Sequence, residues 1–121
     1  RDEYIFHCNK NVHEAKDLME SIAESGLHFD AIMSSDDSLA VGALKYAHAH
    51  QICVPEELAI IGYNNSIYSD CTDPEISSID TKVESLCITT VNSLMKVFDG
   101  SSVPGKTTIA ADFIQKQTTN F

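Results

Sequence analysis

Residues 29 to 65 read FDAIMSSDDSLAVGALKYAHAHQICVPEELAIIGYNN, and the fold class turns on how this stretch is punctuated. FDAIMS, residues 29–34, is a short strand candidate that ends in Ser35-Asp36-Asp37-Ser38. A helix then runs to about His50, with Leu39, Ala40, Ala43, Leu44 and Ala47 as its apolar positions and Gly42 allowing close packing. Ile52 to Pro55 turns the chain, and Leu58 to Gly62 is apolar at almost every position, as in a strand covered on both faces. Strand, helix and strand with short connections are the signature of a parallel, helix-covered sheet.

Upstream, residues 3–8, EYIFHC, form another strand candidate. Asn11 opens a helix with Glu14 as its capping-box partner. Ala15, Leu18, Met19 and Ile22 fall on one face of that helix, and Gly26 is its expected C-cap. Downstream, residues 66–81 are polar and irregular around Pro74 and a short EISSID piece. Thr81-Lys82-Val83-Glu84 is a second capping-box pattern, opening a helix to about Phe98. Its apolar face is Val83, Cys87, Val91, Leu94 and Phe98, and Asp99-Gly100 ends it. Residues 106–118 suit one or two extended segments.

The 121 residues suffice for one domain, and an apolar fraction of 43% supports a folded globule. A net charge of −10 argues against this stretch gripping nucleic acid or an anionic membrane by itself. No apolar run reaches the roughly 20 residues of a membrane span, and the N-terminal RDEYIF has no signal-peptide pattern. Cys8, Cys53, Cys71 and Cys87 lack a C-x-x-C spacing and are expected as reduced thiols in a cytoplasmic protein. His48 and His50 point to different helix faces and have no further ligands at zinc spacing, so no metal or other cofactor is expected.

Ligands of open α/β sheets bind beyond the carboxyl ends of the strands. Here those ends are Asn9-Lys10, Asp36-Asp37 and Asn64-Asn65, all polar and all expected on one sheet edge. Asp and Asn are also the usual caps and turn residues at such positions, and Asp37 is a candidate cap for the helix after it. Catalytic signatures are absent: no G-x-S-x-G elbow, no phosphate-cradling glycine loop and no H-E-x-x-H. No catalytic residue is therefore assigned. One alternative is a small α/β enzyme or a phosphoacceptor receiver domain using Asp36-Asp37.

The ordered motifs resemble the C-terminal part of a lac-repressor (LacI/GalR) family transcriptional regulator. The stretch 29–65 is similar to that family's strand, Asn-Asp, x-x-A-x-G-A-L helix, V-P-x-D strand and G-[FY]-D-[DN]. Thr72-Asp73-Pro74-Glu75, ISSIDTK, the helix ending at Asp99-Gly100 and a strand near residues 113–118 follow in the family's order. The resemblance implies the C-terminal lobe of a type I periplasmic-binding-protein-like fold, a three-layer α/β/α arrangement with a mostly parallel sheet. It implies residues 1–81 as the main part of that lobe. Residues 82–105 are then a crossover helix and loop belonging to an N-terminal lobe, and residues 106–121 strands returning to the first lobe. It further implies a non-enzymatic regulator with a sugar-like effector and a homodimer. Operator DNA would be bound only through a helix-turn-helix outside this chain. A periplasmic solute-binding protein is the second alternative.

Carried over residue by residue, the family's effector-contacting Asn falls on Asp36, its effector-contacting Asp on Asn64, and a stacking aromatic near Lys10. The Gln of its crossover falls on Thr81. Lys10 suggests an anionic effector such as a sugar phosphate. The dimer-forming positions fall on Val41, Lys45, Cys71 and Thr72, with core packing as the alternative role for Val41. The apolar stripe of helix 82–98 is expected to fold back on its own sheet or to pack on a second copy, by exchange of the helix.

Overall fold

The computed structural model describes residues 4–121. In chain order the elements are α1 (Val12–Glu24), β1 (Ala31–Met33), α2 (Asp37–Ala49), β2 (Ala59–Tyr63), α3 (Ile67–Asp70), β3 (Ser77–Asp80), α4 (Val83–Phe98) and β4 (Asp112–Ile114). A 3-10 turn at Gln117–Thr119 follows. The strands form one sheet in the order β1-β2-β3-β4. β1, β2 and β3 run parallel, with Ala31 opposite Ala59 and Ile61 opposite Ser77. β4 joins β3 antiparallel, Phe113 facing Ile79. This is the mostly parallel α/β sheet that the sequence led us to expect.

The core lies between α1, α2 and β2. Met19 and Ile22 of α1, Ala40, Ala43, Leu44 and Ala47 of α2, and Ile60 of β2 form one buried cluster, joined by Ile76 just before β3. The stripes read from the sequence for α1 and α2 are therefore the faces that pack. Gly42 is what lets the two helices touch: a Cβ there would sit 2.5 Å from Ala15 Cβ and 2.6 Å from the Val12 carbonyl oxygen.

Local chemistry departs from the sequence patterns at both helix starts. Asn11 does cap α1, its side chain accepting from the amides of His13 and Glu14. Glu14, however, accepts from the backbone and side-chain nitrogens of Asn9 instead of closing a box on Asn11. At α4 no box forms. Lys82 occupies the cap with a left-handed backbone (φ 53°) and no side-chain cap bond. Its amide is taken by Asp80 at 2.8 Å.

Two element assignments are corrected. Glu3 of the EYIFHC strand lies outside the described residues, and residues 4–8 form no strand. The irregular stretch after Asn65 contains α3 and the strand β3. Of the one or two extended segments expected in residues 106–118, one forms, the strand Asp112–Ile114. An apolar groove of about 500 Å³ opens where residues 4–8 fail to pair with β1, lined by Phe6, Leu18, Ile32 and Met33 among others.

α4 buries none of its 16 residues. Val83, Leu86, Ile88, Val91, Leu94, Met95, Val97 and Phe98 are all at least half exposed. The expected fold-back of this helix onto its own sheet does not occur.

The C-terminal segment is tied in by hydroxyls. Thr118 is fully buried; its Oγ1 donates to the Ile60 carbonyl at 2.6 Å and accepts the Ser77 amide at 2.9 Å. One side chain thus bridges β2 and β3.

Candidate functional site

β1, α2 and β2 bring Asp36 and Asn64 together at the carboxyl ends of neighbouring strands. Asp36 caps α2: its Oδ1 accepts from the Ser38 amide at 3.0 Å and from Ser38 Oγ at 2.6 Å. Its Oδ2 accepts from Asn64 Nδ2 at 3.0 Å and from Lys10 Nζ at 2.5 Å. Lys10, Asp36 and Asn64, which lie far apart in sequence, form one connected group. The Asp36 side chain is 9% exposed, whereas Lys10 is 67% exposed. Burial on its own works to raise the Asp36 pKa. The Lys10 hydrogen bond, the two from Ser38 and the Lys10 charge outweigh it, and the carboxyl is held below its ordinary value. Lys10 is raised in turn, first by its hydrogen bond to Asp36 and then by that residue's charge.

Asn64 reaches Asp36 because its turn is strained. Asn64 and Asn65 both have positive φ, 95° and 47°, which side chains with a Cβ rarely adopt. Hydrogen bonds pin the turn in place. The Asn64 amide donates to the Ile79 carbonyl at 2.9 Å, and the Asn65 amide donates to Ser78 Oγ at 2.9 Å.

Asp37 anchors those partners instead of capping α2. It is fully buried. Its Oδ1 accepts from Ser78 Oγ at 2.6 Å, and its Oδ2 accepts from the Ser66 amide and Ser66 Oγ at 2.6 and 2.8 Å. Ser78 therefore relays between Asp37 and the strained Asn65 amide. Gly62 makes room for it, since a Cβ on Gly62 would lie 2.2 Å from Asp37 Oδ1. Both Asp37 oxygens are occupied by donors and Asp36 by Lys10, which leaves no exposed acidic pair for the receiver-domain alternative.

Ser38, Ser66 and Ser78 are the members of this network that sequence reasoning missed. Serines at turns and in a polar strand carry no motif; only the spacing of Ser66 after Asn64-Asn65 could have hinted at one of them. Tyr68, half exposed on α3, adds an aromatic near Lys10.

The four positions carried over as dimer contacts are scattered in character. Val41 is half-buried and packs against the core cluster, as its alternative role required. Lys45 and Cys71 are exposed. Thr72 is half-buried, and its sequestered hydroxyl finds no hydrogen-bond partner among the described residues. The four cysteines are free and exposed.

Comparison with known proteins fits this geometry. The family model for the periplasmic binding protein-like domain matches residues 2–119. An HTH-type transcriptional regulator of Lachnoclostridium phytofermentans is 45% identical over 114 residues, covering 94% of this chain and 34% of that protein. The chain thus spans about a third of the length of this curated relative. Among solved structures, a transcriptional regulator CelR–cellobiose complex superimposes with a TM-score of 0.86 at 16% identity, over 98% of this chain and 36% of that one. The lac repressor dimer bound to operator and the anti-inducer ONPF gives 0.84 at 20% identity, over 90% of this chain and 38% of that one. At such identities the structural likeness speaks to the fold.

Proposed function

This chain belongs to the periplasmic binding protein-like domain family, and from that premise we propose that it is the effector-sensing part of a LacI-type transcriptional regulator. The observation that carries the proposal is the joining of Asp36 and Asn64 at adjacent strand ends, where this fold class places ligands, with Lys10 paired to Asp36 from the start of α1. Acceptors and donors held by a buried hydroxyl network suit a small polar molecule, a sugar or sugar derivative. The L. phytofermentans relative supports regulation as the role and a cytoplasmic setting, because it is an HTH-type transcriptional regulator. The cellobiose complex supports a sugar, and the operator-bound lac repressor supports a dimer acting on DNA through a part outside this chain.

On this reading residues 1–81 and 106–121 form one lobe, and residues 82–105 cross to another. α4 supports the division, since its apolar side chains find no burial within the described residues. Val41, Lys45, Cys71 and Thr72 are proposed at or beside the dimer contact.

A thermal-shift screen of sugars on the intact regulator tests the proposal. At least one compound should stabilise the wild type in a concentration-dependent way, and Asn64→Ala should remove most of that gain without lowering the unliganded melting temperature by a comparable amount. A hit whose effect is unchanged in Asn64→Ala and in Asp36→Asn would contradict it.

A further inference from the structure

We propose that the effector of this site carries a protonated amine, which takes the place that the Lys10 ammonium holds against Asp36. The inference rests on the effector-cleft reading above and adds the chemical class of the ligand.

Asp36 is a nearly buried carboxylate with four donors. Three of them, the Ser38 amide, Ser38 Oγ and Asn64 Nδ2, are fixed by α2 and the pinned turn after β2. The fourth, Lys10, stands at the end of a flexible stem, just ahead of α1, and is two-thirds in solvent. Among the described residues it is also the cation that pairs with Asp36. A ligand that contacts Asp36 Oδ2 must displace it, and the chemistry of that exchange discriminates strongly. A neutral hydroxyl would replace a charge-assisted bond with a weaker one and leave the sheltered carboxylate without a counter-charge. An anion would need Lys10 to turn away from Asp36 and would then face that carboxylate itself. An ammonium group exchanges charge for charge and releases Lys10 to water. The chain's net charge of −10 further favours cations. Asn64 donates to Asp36 through its nitrogen, so its carbonyl oxygen is left to accept from a neighbouring ligand hydroxyl. An amine beside a hydroxyl is the pattern of an amino sugar. Lys10 then acts as a resident competitor, in contrast to the phosphate-binding role expected from its charge alone.

The test is calorimetric titration of the intact regulator with glucosamine, galactosamine and mannosamine. Each is run beside its parent hexose and the parent's 6-phosphate, and all are repeated with Lys10→Ala and Asp36→Asn. One amino sugar should bind at least about tenfold more tightly than its parent hexose, with the 6-phosphate weaker still. Asp36→Asn should shrink that preference to within about threefold, and Lys10→Ala should tighten the amino sugar several-fold. Three results overturn the inference: a 6-phosphate or neutral hexose binding tightest, an amine preference that survives Asp36→Asn, or no binding by any amino sugar. Tight neutral-hexose binding that is lost in Asn64→Ala would do so while leaving the cleft reading intact. If no sugar of any kind binds, the sugar screen with Asn64→Ala decides that reading separately.

Discussion

Among the described residues no cation pairs with Asp37, which is fully buried, and three donors converge on it. Asp37→Ala should strand the Ser66 amide and two hydroxyls, and cost at least about 3 kcal/mol in urea denaturation. Gly62→Ala should be destabilising for the same reason, as its methyl competes with Asp37 Oδ1 for space. Its cost should be smaller in an Asp37→Ala background, a coupling that a double-mutant cycle reads. The Asp36–Lys10 pair has its own pH signature. Asp36 is lowered in the folded state. Its contribution is therefore full above the unfolded value of about 4 and fades as pH falls through the lower folded one. Lys10 is raised, so its share is full below about 10.4 and fades as pH rises through the folded value. Urea midpoints of wild type and Asp36→Asn should therefore differ by a constant amount near neutrality and converge in acid. A gap that widens in acid would contradict the ion pair.

The elements differ in how they are held, and this decides which of them could be read from sequence. α1, α2 and β2 bury apolar side chains with regular spacing, so periodicity finds them. β3 buries Ser77 and Ser78, which resemble loop residues. They are tolerated inside because their hydroxyls serve Asp37, the Asn65 amide, the Lys116 amide and Thr119. Residues 4–8 have strand composition but no pairing along β1, something composition does not report. In the site, Lys10, Asp36 and Asn64 were all legible as polar ends of expected strands, Lys10 after a strand that does not form; the serines that fix them were not. Thr118→Val tests the hydroxyl clamp: it keeps the shape but leaves the buried Ser77 amide unpaired, which should cost about 1–3 kcal/mol by denaturation. α4 stands apart, with no buried residue. In the isolated 121-residue chain its amides should exchange with deuterium orders of magnitude faster than those of α2 and β2. Equal protection would show that α4 is covered in solution. Lys82 joins α4's start to β4 through Asp112, which sits opposite Asp80 in the sheet. Lys82→Met should leave those carboxylates facing each other and loosen β4 at neutral pH but not in acid.

At the scale of the molecule, one compact α/β lobe presents a pinned, strained turn and a capped helix start to the same sheet edge. A chain that spans about a third of its regulator relative holds one wall of the proposed cleft. On the proposed division, its unburied α4 is the face that another lobe would cover. Affinity for effector should accordingly be much lower in the isolated chain than in the intact regulator, by calorimetry of both. The central claim is that the effector is held by the Asp36–Asn64 group at the strand ends. A crystal structure of the intact regulator, grown with a compound found by thermal shift, tests it most directly. The ligand should lie within hydrogen-bond distance of Asp36 and Asn64, with Lys10 swung away from Asp36 Oδ2. A ligand seated in the apolar groove beside β1, with the Lys10–Asp36–Asn64 group undisturbed, would contradict it.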